Sequence, residues 1–535
     1  MGRSALFQRL IKARGFDEDF LHPDYEKLQS PHVLEDMDKC VARIEKAAKN
    51  HEKIVIYGDY DVDGVCSSTL MHDALISAGC EDVTILLPDR FGEGYGMNTG
   101  AIEEIVDADA SLVITVDCGS GSGEVITKLK EQGVDTIVTD HHEIPEVPKS
   151  AVAVVNPKRG ESLCELAGVG VAFEVARALN MQKNHGKCDG SEKWLLDLVA
   201  IGTVCDAMPI TDENRILVYW GMRVIAKTRR PGLKELMKIA SVDPKSLTTQ
   251  SIGFQIGPRL NAGGRMDSAH KSLNLLMSKT DAEAFKHATE LERLNNVRRK
   301  TQDGAMLELE SSDFTDQSVI VIKGDWHEGV IGIIAGRLVE THKKPVFVLT
   351  GTEDGLLKGS GRSFGDFNLA DCITHCQNML VKGGGHNFAC GITIANSNFE
   401  DFTAGVNDFY RSLNLKNQER YLKTAADMSI ENFSDLTEAL CSELSLLEPY
   451  GEGNPEPIFS VPAKVFNTKV LKEKHLSLSL RDDAGKFLRT MSFFTPKQWL
   501  DIEEDTDISV KFTLTLNEWN GRRSVEGRIV DLEKI

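Results

Sequence analysis

Cysteine pairs at metal-binding spacing are missing from this sequence. Its 11 cysteines include no C-x-x-C pair, so neither a zinc knuckle nor a disulfide framework is indicated. Long apolar runs are missing as well, because no stretch reaches the roughly 18 residues that a membrane helix needs. The N-terminal segment MGRSALFQRLIKARG is basic but has neither an apolar core nor a small-residue cleavage site. We expect a cytoplasmic protein without membrane contact, whose cysteines are small buried apolar residues.

Basic residues are scarce relative to acidic ones. The chain has 61 Lys and Arg against 81 Asp and Glu, a formal net charge of -20. Global charge governs solubility more than what one cleft binds, so a polyanionic substrate is not excluded. Two basic segments, 227–234 (KTRRPGLK) and 293–300 (RLNNVRRK), stand out, and each taken alone is typical of a solvated helix face. The 535 residues, 41% of them hydrophobic, have room for about three or four domains.

The most informative stretch is IVIYGDYDVDG, residues 54–64. An apolar β-branched run predicts a buried strand, and Asp59, Asp61 and Asp63 follow it at a spacing of two. In strand-like geometry, alternate side chains point the same way. Three carboxylates would then converge and repel one another strongly unless a cation lies among them. The stretch predicts half of a metal site.

Two alternatives apply to this stretch. A lone D-x-D-x-D pattern is also common in solvated turns, because Asp favours turns. An EF-hand calcium loop has the same pattern, but it needs a bidentate Glu at the twelfth position, where this chain has Leu70. An EF-hand loop also follows a helix, whereas this stretch follows a predicted strand. The EF-hand interpretation is therefore excluded.

Chemically active residues follow several of the predicted strands, which are 54–56, 83–87, 112–116, 136–139 and 151–155. Apolar strands that alternate with helix-like segments favour a parallel sheet covered on both faces. Asp117 follows the third strand, and Asp140, His141 and His142 follow the fourth. Asp206 interrupts the apolar run LVAIGTVCDAMPI, where a lone carboxylate is costly unless it is paired or metal-bound. Since ligands of such sheets bind beyond the carboxyl ends of the strands, we expect these groups to gather at one edge.

The expected donor set limits the metal and the chemistry. Carboxylates with one or two imidazoles and no thiolate suit manganese or magnesium better than structural zinc. Five or six carboxylates are too many for one ion, so we expect two divalent ions. Two ions about 3.5 to 4 Å apart activate water on one side and stabilise the leaving oxygen on the other. Phosphodiester hydrolysis fits this arrangement best.

The motifs GDYDVDG, VDCGS, TDHHE and GTVCDAMP resemble, in order, the four motifs of the DHH phosphoesterase superfamily. Further motifs resemble one branch of it, the RecJ exonucleases: GPRLNAGGRMDSA, WHEGVIGIIAGRL, SGRS with FNL, GGGHNFACG and LEPYGEGNPEPIF. The resemblance extends from about residue 54 to residue 535. Many superfamily members have a histidine in the first motif, where this chain has Tyr57 or Asp59.

The resemblance implies a role for each acidic and imidazole group. Asp61 and Asp117, with help from Asp59, would hold one ion. The ligands of the other ion would be Asp63, Asp117, His141 and Asp206. Asp117 would thus bridge the two ions. His142 would lie against the scissile phosphate and Asp140 would orient a histidine, so that His142, Asp140 and Asp117 are the expected catalytic residues.

The resemblance also implies how the substrate strand is bound. The expected phosphate contacts are Arg90, Arg259, Arg265, Ser360 and Arg362. Guanidinium groups suit bidentate phosphate binding, although for any one arginine a surface salt bridge is an equally good alternative. His386 completes this set, since residues 383–385 are glycines that permit close backbone approach to a ligand.

The sequence indicates an α/β protein in five segments. These are an N-terminal helical lead (1–45), a parallel-sheet DHH catalytic domain (46–275), a long connecting helix (276–312), a smaller DHH-associated α/β domain (313–417) and a C-terminal OB-type β-barrel (418–535). Within the connecting segment, residues 281–309 are strongly helical in composition and include no proline.

Short alternating strands near the end of the chain, with Asn520-Gly521 at a hairpin turn, predict the barrel. This fold binds single strands by base stacking. Trp519, beside two arginines, is the stacking candidate, and core packing is the alternative.

The resemblance implies a metal-dependent 5′–3′ exonuclease that releases mononucleotides from single-stranded DNA in DNA repair and recombination. Manganese is the expected cofactor before magnesium. The expected partners are single-stranded DNA, a helicase and a single-strand-binding protein, and the chain is expected to be a monomer. Two alternatives stay open. One is a DHH phosphodiesterase for short oligonucleotides or cyclic dinucleotides. Enzymes of that kind generally lack the terminal barrel. The other is a non-catalytic single-strand binder, against which the intact carboxylates argue.

Overall fold

The computed structural model describes residues 2–92, 96–160, 165–415, 418–422, 424–519 and 521–535, without the side chains of residues 419 and 519. The chain forms two compact units. The larger unit comprises Gln29–Met208 and Trp220–Leu422, and the smaller unit comprises Met1–Leu28, Pro209–Tyr219 and Lys423–Ile535. Among the described residues, none of the helices has both the length and the apolar character that crossing a bilayer requires.

The helices and strands are numbered along the chain. The α-helices are α1 (Ala5–Arg14), α2 (Glu18–Leu21), α3 (Met37–Lys49), α4 (Val62–Ala78), α5 (Thr99–Asp107), α6 (Gly123–Glu131), α7 (Gly168–Lys183), α8 (Leu196–Cys205), α9 (Asp212–Ile225), α10 (Pro231–Ile239), α11 (Thr249–Ser251), α12 (Gly257–Met266), α13 (His270–Leu276), α14 (Asp281–Leu309), α15 (Glu328–His342), α16 (Leu369–His375), α17 (Phe399–Ser412), α18 (Glu438–Leu444) and α19 (Lys497–Leu500). The strands are β1 (Ile54–Gly58), β2 (Val83–Leu86), β3 (Leu112–Val116), β4 (Asp135–Thr139), β5 (Ala153–Val155), β6 (Ile320–Gly324), β7 (Val346–Gly351), β8 (Leu356–Arg362), β9 (Leu380–Gly385), β10 (Ala389–Ala395), β11 (Met428–Ser429), β12 (Phe459–Leu471), β13 (His475–Arg481), β14 (Phe487–Ser492), β15 (Asp507–Trp519) and β16 (Arg522–Lys534).

The first sheet of the larger unit is parallel throughout. Its described strands have the order β2-β1-β3-β4-β5. Side chains of Val55 and Val113 pack against Ile105 of α5 and Ile126 of α6 on one face, and α4 and α7 cover the other. Strands buried on both faces are typically rich in β-branched residues, as β1, β3 and β4 are. The predicted parallel α/β sheet is confirmed.

The connecting helix α14 begins and ends where the helical composition does, at Asp281 and Leu309. A capping box fixes its start, because the Thr280 hydroxyl accepts from the Glu283 N–H and the Glu283 side chain accepts from the Thr280 N–H. The absence of proline lets the helix run on for 29 residues. Helix α14 packs against α10, α12, α13 and α15, so it joins the two sheets of the larger unit.

The second sheet of the larger unit is mixed. Its described strands have the order β6-β7-β8-β10-β9, with β6 and β7 parallel and the other neighbours antiparallel. Phe347 and Ile392 pack with Cys372 and Phe402 on one face, whereas Val346 and other residues pack against α15 on the other. This is the smaller α/β domain that the sequence predicts.

The smaller unit contains a closed β-barrel. Strands run in the order β12-β13-β14-β16-β15, and β15 pairs back with β12 to close the ring. Inward-pointing residues of β12, β13 and β15, among them Val461, Leu478 and Phe512, are buried in its core. Phe7 and Leu10 of α1 belong to the same core. The predicted OB-type barrel is confirmed.

Candidate metal centre

Three aspartates follow β1 at the edge of the first sheet. Asp59 is 4% exposed and Asp63 is 1% exposed. Asp61 is the N-cap of α4, where its Oδ1 accepts a hydrogen bond from the Gly64 N–H at 3.1 Å. The D-x-D-x-D spacing therefore spans the turn from strand to helix, and only part of it has strand geometry.

Asp63 is held by the N-terminus of α7. Its two carboxylate oxygens accept from the backbone N–H groups of Gly168 at 2.7 Å and Val169 at 3.0 Å. The positive end of the helix favours a carboxylate at this place. Both flanking glycines are required sterically, because a Cβ on Gly168 would lie 2.5 Å from the Asp117 Cβ and one on Gly202 would lie 2.5 Å from Asp63 Oδ1.

Asp117 lies where β3 ends. Its backbone has a φ of 59°, a left-handed conformation that Asp tolerates better than most residues. The Asp117 N–H donates to the Thr139 carbonyl at 3.0 Å, which keeps the residue aligned with the end of β4. The carboxylate is 2% exposed and lies among the other acidic groups.

The segment after β4 forms a small hydrogen-bonded network. Asp140 Oδ1 lies 2.8 Å from His142 Nδ1, and Oδ2 accepts from the Ser120 N–H at 2.9 Å. The Asn156 side chain donates to the Ser120 hydroxyl and to the His142 carbonyl, both at 3.0 Å. Asp140 thus orients His142, and the supporting Ser120 and Asn156 are residues that the sequence did not indicate.

The structure brings the predicted metal residues together. Three groups have ligand atoms within 4.8 Å of one another: Asp59, Asp61 and Asp117; Asp63, His141 and Asp206; and Asp117, His141 and His142. His141 Nε2 lies 3.2 Å from Asp117 Oδ1 and 3.6 Å from Asp206 Oδ2. Asp206 terminates α8, so a helix end and not a strand presents it. Asp117 and His141 each belong to two groups, which allows two adjacent ions.

The acidic groups of this cluster repel one another. Burial, followed by the charge of Asp61, raises the pKa of Asp59 to about 8 and that of Asp63 to about 7. Burial and the charge of Asp63 raise the pKa of Asp206 to about 9. Burial and His142 lower the pKa of His141 to about 3, so it is the neutral imidazole that binds metal ions. A divalent cation would relieve the carboxylate repulsion.

These shifts predict how the stability of the metal-free protein depends on pH. Unfolded aspartates have a pKa near 3.9, so between about pH 4 and 9 these three aspartates bind more protons in the folded protein than in the unfolded chain. The free energy of unfolding in EDTA should therefore fall as pH rises from 6 to 9. Thermal unfolding at each pH measures this, and Asp206→Asn should show a smaller fall. Stabilisation by added Mg²⁺ should be greater at pH 9, because fewer protons compete. An equal melting temperature at pH 6 and 9 in EDTA would contradict the prediction.

Arginines line the side of the centre that faces the second sheet. The Arg90 guanidinium lies 4.0 Å from the centre of the Tyr60 ring. Arg265 donates to the Gly329 carbonyl at 3.3 Å, and Arg362 donates to the Ser360 hydroxyl at 3.0 Å. Burial and then the charges of Arg90 and Arg362 lower the pKa of Arg265 to about 9. These groups form a positively charged wall beside the acidic centre.

The loop that carries Arg90 is anchored to the smaller α/β domain, which contains the second sheet. The Phe91 carbonyl accepts from Lys358 Nζ at 3.0 Å, and Lys358 pairs with Glu328 at 2.5 Å. The Phe91 ring meets His327 edge-on at 5.5 Å. His327 and Glu328 belong to the motif WHEG, whose role the sequence did not indicate. This motif holds the Arg90 loop.

The remaining predicted site residues have different environments. His386 lies 6.1 Å from the His142 ring and nearly parallel to it, so it faces the centre from the second domain. Arg259 differs from the other arginines in having a carboxylate partner: its Nε donates to Glu292 at 2.6 Å and its Nη1 to the Gln255 carbonyl at 2.8 Å. A phosphate contact by Arg259 stays a prediction. The Trp519 side chain and Asn520 lie outside the described residues.

Comparisons with known proteins agree with this geometry. The family model "DHH family, N-terminal domain" matches residues 53–203, "DHHA1 domain" matches 316–412, and "RecJ OB domain" matches 426–531. The chain is similar to the single-stranded-DNA-specific exonuclease RecJ of Bacillus subtilis (35% identity; 98% of this chain and 67% of the relative). It is also similar to that of Haemophilus influenzae (32%; 99% and 96%).

Solved structures give the same result. RecJ from Thermus thermophilus in complex with Mn²⁺ superposes with a TM-score of 0.84 at 28% identity, covering 100% of this chain and 79% of that chain. The Mg²⁺ complex gives 0.79 at 26% identity, covering 100% of this chain and 78% of that chain. The motifs occur in the order of the family, the acidic residues converge at one centre, and relatives above 30% identity match nearly the full length of the chain. The chain therefore belongs to the RecJ family of the DHH phosphoesterase superfamily.

Proposed function

We propose that this protein is a metal-dependent single-stranded-DNA-specific exonuclease that works from the 5′ end and releases mononucleotides, in DNA repair and recombination. The observation that carries the proposal is the convergence of five aspartates and a neutral histidine at one sheet edge in a RecJ-family chain. The relatives bear the name single-stranded-DNA-specific exonuclease. The 5′ polarity rests on the family resemblance alone.

The residues fit a pair of divalent ions. Asp59 Oδ1 and His141 Nε2 are buried and have no hydrogen-bond partner among the described residues, which is costly for atoms that no cation or water satisfies. Oxygen donors with one imidazole suit Mn²⁺ and Mg²⁺, the ions in the solved RecJ complexes. When bound, the two ions supply an activated water and stabilise the leaving oxygen. We propose Asp59, Asp61 and Asp117 for one ion and Asp63, Asp117, His141 and Asp206 for the other.

His142 is proposed to bind the scissile phosphate. Burial lowers its pKa, but the hydrogen bond to Asp140 and the charge of that carboxylate outweigh burial and raise the pKa above the ordinary value. Burial alone would raise the pKa of Asp140, whereas hydrogen bonds from His142 and Ser120 hold it well below its usual range. A charged Asp140 therefore keeps a proton on His142 Nδ1, and the ring can donate from Nε2 to a phosphate oxygen.

The arginine wall is proposed to bind the strand next to the centre. Arg90, Arg265 and Arg362 with Ser360 offer donors that phosphate oxygens can accept. Arg90 Nε is buried and has no hydrogen-bond partner among the described residues, as expected of a group whose acceptor comes with the substrate. His386 is proposed to contact the same nucleotide from the opposite side. Stacking by Trp519, a monomeric state, a cytoplasmic location and binding to a helicase or single-strand-binding protein stay predictions.

One digestion tests the proposal. Single-stranded DNA with a 5′-phosphate, labelled at either end, is incubated with the protein and Mn²⁺. We expect immediate release of labelled mononucleotide from the 5′ label and a progressively shortening 3′-labelled ladder. Turnover of dinucleotides without cleavage of long strands would support the short-oligonucleotide phosphodiesterase instead. Binding without turnover would leave only a non-catalytic binder, and the release of mononucleotide from the 3′ label first would reverse the polarity.

A further inference from the structure

Arg298 of helix α14 lies in the basic segment 293–300, which taken alone is typical of a solvated helix face. Arg298 is partly buried, and its Nε and Nη2 donate to Asn295 Oδ1 at 3.2 and 3.0 Å. Asn295 is 2% exposed. A buried amide that accepts two hydrogen bonds from one guanidinium fixes the orientation of that guanidinium. Because the amide is neutral, it does not compensate the positive charge of the arginine.

A second amide lies between Arg298 and Arg337 of α15. With its oxygen turned to Arg337, Gln302 accepts from Nε at 2.7 Å and from Nη2 at 3.0 Å. Gln302 is 3% exposed, so a buried neutral amide, without a charge of its own, orients the Arg337 guanidinium.

Within the described part of the chain, no carboxylate compensates this pair closely. The hydrogen bonds of Arg298 to described residues go to the amide oxygen of Asn295. Arg337 lies 3.6 Å from Asp303, and both side chains are at least half exposed, so that this ion pair is weak. Burial, followed by the charges of Arg299 and Arg337, lowers the pKa of Arg298. The positive charge of the pair is in excess.

Other arginines of the same region behave differently. On α14, Arg293 is bound by both oxygens of Glu290 at 2.8 and 2.9 Å, and Arg259 of α12 is bound by Glu292. Those two are neutralised, whereas Arg298 and Arg337 are oriented by amides. Helix α14 packs against α12, which carries Arg265 of the arginine wall, and the charge of Arg298 lowers the pKa of Arg265.

We propose that Arg298 and Arg337, oriented by Asn295 and Gln302, form a further phosphate-binding site on the connecting helix, outside the metal centre. The ligand is a phosphate group, from the backbone of the bound strand or from a free 5′-mononucleotide. Two guanidinium groups held by neutral amides match a phosphate in shape and in charge. The inference rests on the proposed nuclease function, since it extends the track that the strand follows away from the centre.

Arg298→Ala and its matched control Arg293→Ala test the site. Each variant removes one positive charge from the same helix, but of the two arginines only Arg293 has a carboxylate partner among the described residues. Binding of a labelled oligodeoxythymidylate is measured by fluorescence anisotropy in EDTA over a range of salt concentrations. Arg298→Ala should weaken binding roughly tenfold at low salt, and the slope of log K against log salt should fall by about 0.7. Arg293→Ala should change the affinity less than about twofold.

Asn295→Asp separates phosphate binding from a structural role. The new carboxylate keeps the size of the side chain and both hydrogen bonds to Arg298, but it neutralises the guanidinium. If Arg298 only stabilises the fold, this variant should bind DNA as well as wild type and melt at an equal or higher temperature. If Arg298 binds phosphate, the variant should lose affinity about as much as Arg298→Ala while it keeps its melting temperature.

Competition identifies the source of the phosphate. If Arg298→Ala loses affinity for the oligonucleotide while thymidine 5′-monophosphate inhibits oligonucleotide binding as in wild type, the site holds the strand. If the affinity for the oligonucleotide is unchanged and inhibition by thymidine 5′-monophosphate is lost, the site holds a free nucleotide. Equal behaviour of Arg298→Ala and Arg293→Ala in both assays, or wild-type affinity of Asn295→Asp for both the oligonucleotide and thymidine 5′-monophosphate, would overturn the proposal. Because binding is measured without hydrolysis, a protein that binds strands through Arg298 but does not cut them would refute only the proposed enzymatic function.

Discussion

Asp117→Asn should abolish nuclease activity, with a loss of about 10³-fold or more. Asp117 lies in the group with Asp59 and Asp61 and also in the group with His141, so its two oxygens can serve both ions. An amide keeps the shape of the side chain but offers one neutral oxygen. Since about 1.4 kcal/mol corresponds to a factor of ten, the loss of some 4 kcal/mol of charge stabilisation is enough for this effect.

Metal titration and stability complete the test of Asp117. Calorimetric titration with Mn²⁺ should show that at least one of the wild-type sites is lost. The metal-free variant should be as stable as wild type or more so, because burial and the charges of Asp63 and Asp61 raise the pKa of Asp117 well above its usual range, and an amide removes that repulsion. Asp107→Asn, an exposed change at the end of α5, is the matched control and should keep full activity. An active Asp117→Asn enzyme with two bound Mn²⁺ would refute the bridging role.

Arg215→Met should destabilise the smaller unit by about 4 kcal/mol. Arg215 is 2% exposed and its guanidinium lies 3.8 Å from the Phe20 ring centre. Among the described residues it donates five hydrogen bonds, all to backbone carbonyls: Phe20 at 2.7 Å, Leu447 at 3.0 Å, Leu446 and Glu448 at 3.1 Å, and Pro449 at 3.3 Å. Methionine fills similar space but removes the Arg215 donor from all five carbonyls. The carbonyls of Leu447 and Pro449 still accept from the Asn454 side chain. Each loss at the other three costs about 1–3 kcal/mol without being additive.

Hydrogen exchange can measure this effect within one unit. The chain has two units, so a single unfolding transition is not assured, and amide exchange in β12 and β15 reports opening of the barrel itself. Protection there should fall in Arg215→Met. Arg223→Met, an exposed change further along α9, should alter stability by less than about 0.5 kcal/mol. Unchanged protection of the barrel strands in Arg215→Met would show that these carbonyls find other donors.

The sheet edge that holds the centre could be predicted from the sequence for a simple reason. Carboxyl ends of parallel strands meet at one edge, so residues that directly follow β1, β3 and β4 must lie together whatever separates them along the chain. Asp117 and Asp140 are predicted in this way. The connecting helix is predicted because its start and its length depend on local signals, the capping box and the absence of proline.

Contacts between distant segments could not be predicted from local patterns. The N–H groups of Gly168 and Val169 reach Asp63 only because α7 packs beside α4. Likewise, the sequence shows arginines without showing which have carboxylate partners. Arg259 is neutralised and Arg298 is not, although both lie in basic or motif-rich segments, because tertiary packing decides where Glu292 and Asn295 point.

Inactivating substitutions should be frequent at the two glycines that lie in close contact with the carboxylates of the metal centre. Gly168 and Gly202 carry no functional group, yet a single methyl at either would collide with Asp117 or Asp63. A genetic screen for loss of function should therefore recover alanine or serine at these positions as often as changes of the aspartates themselves. Such alleles would yield folded protein with a displaced carboxylate, so abundance in cell extracts would not distinguish them from wild type, whereas metal titration would.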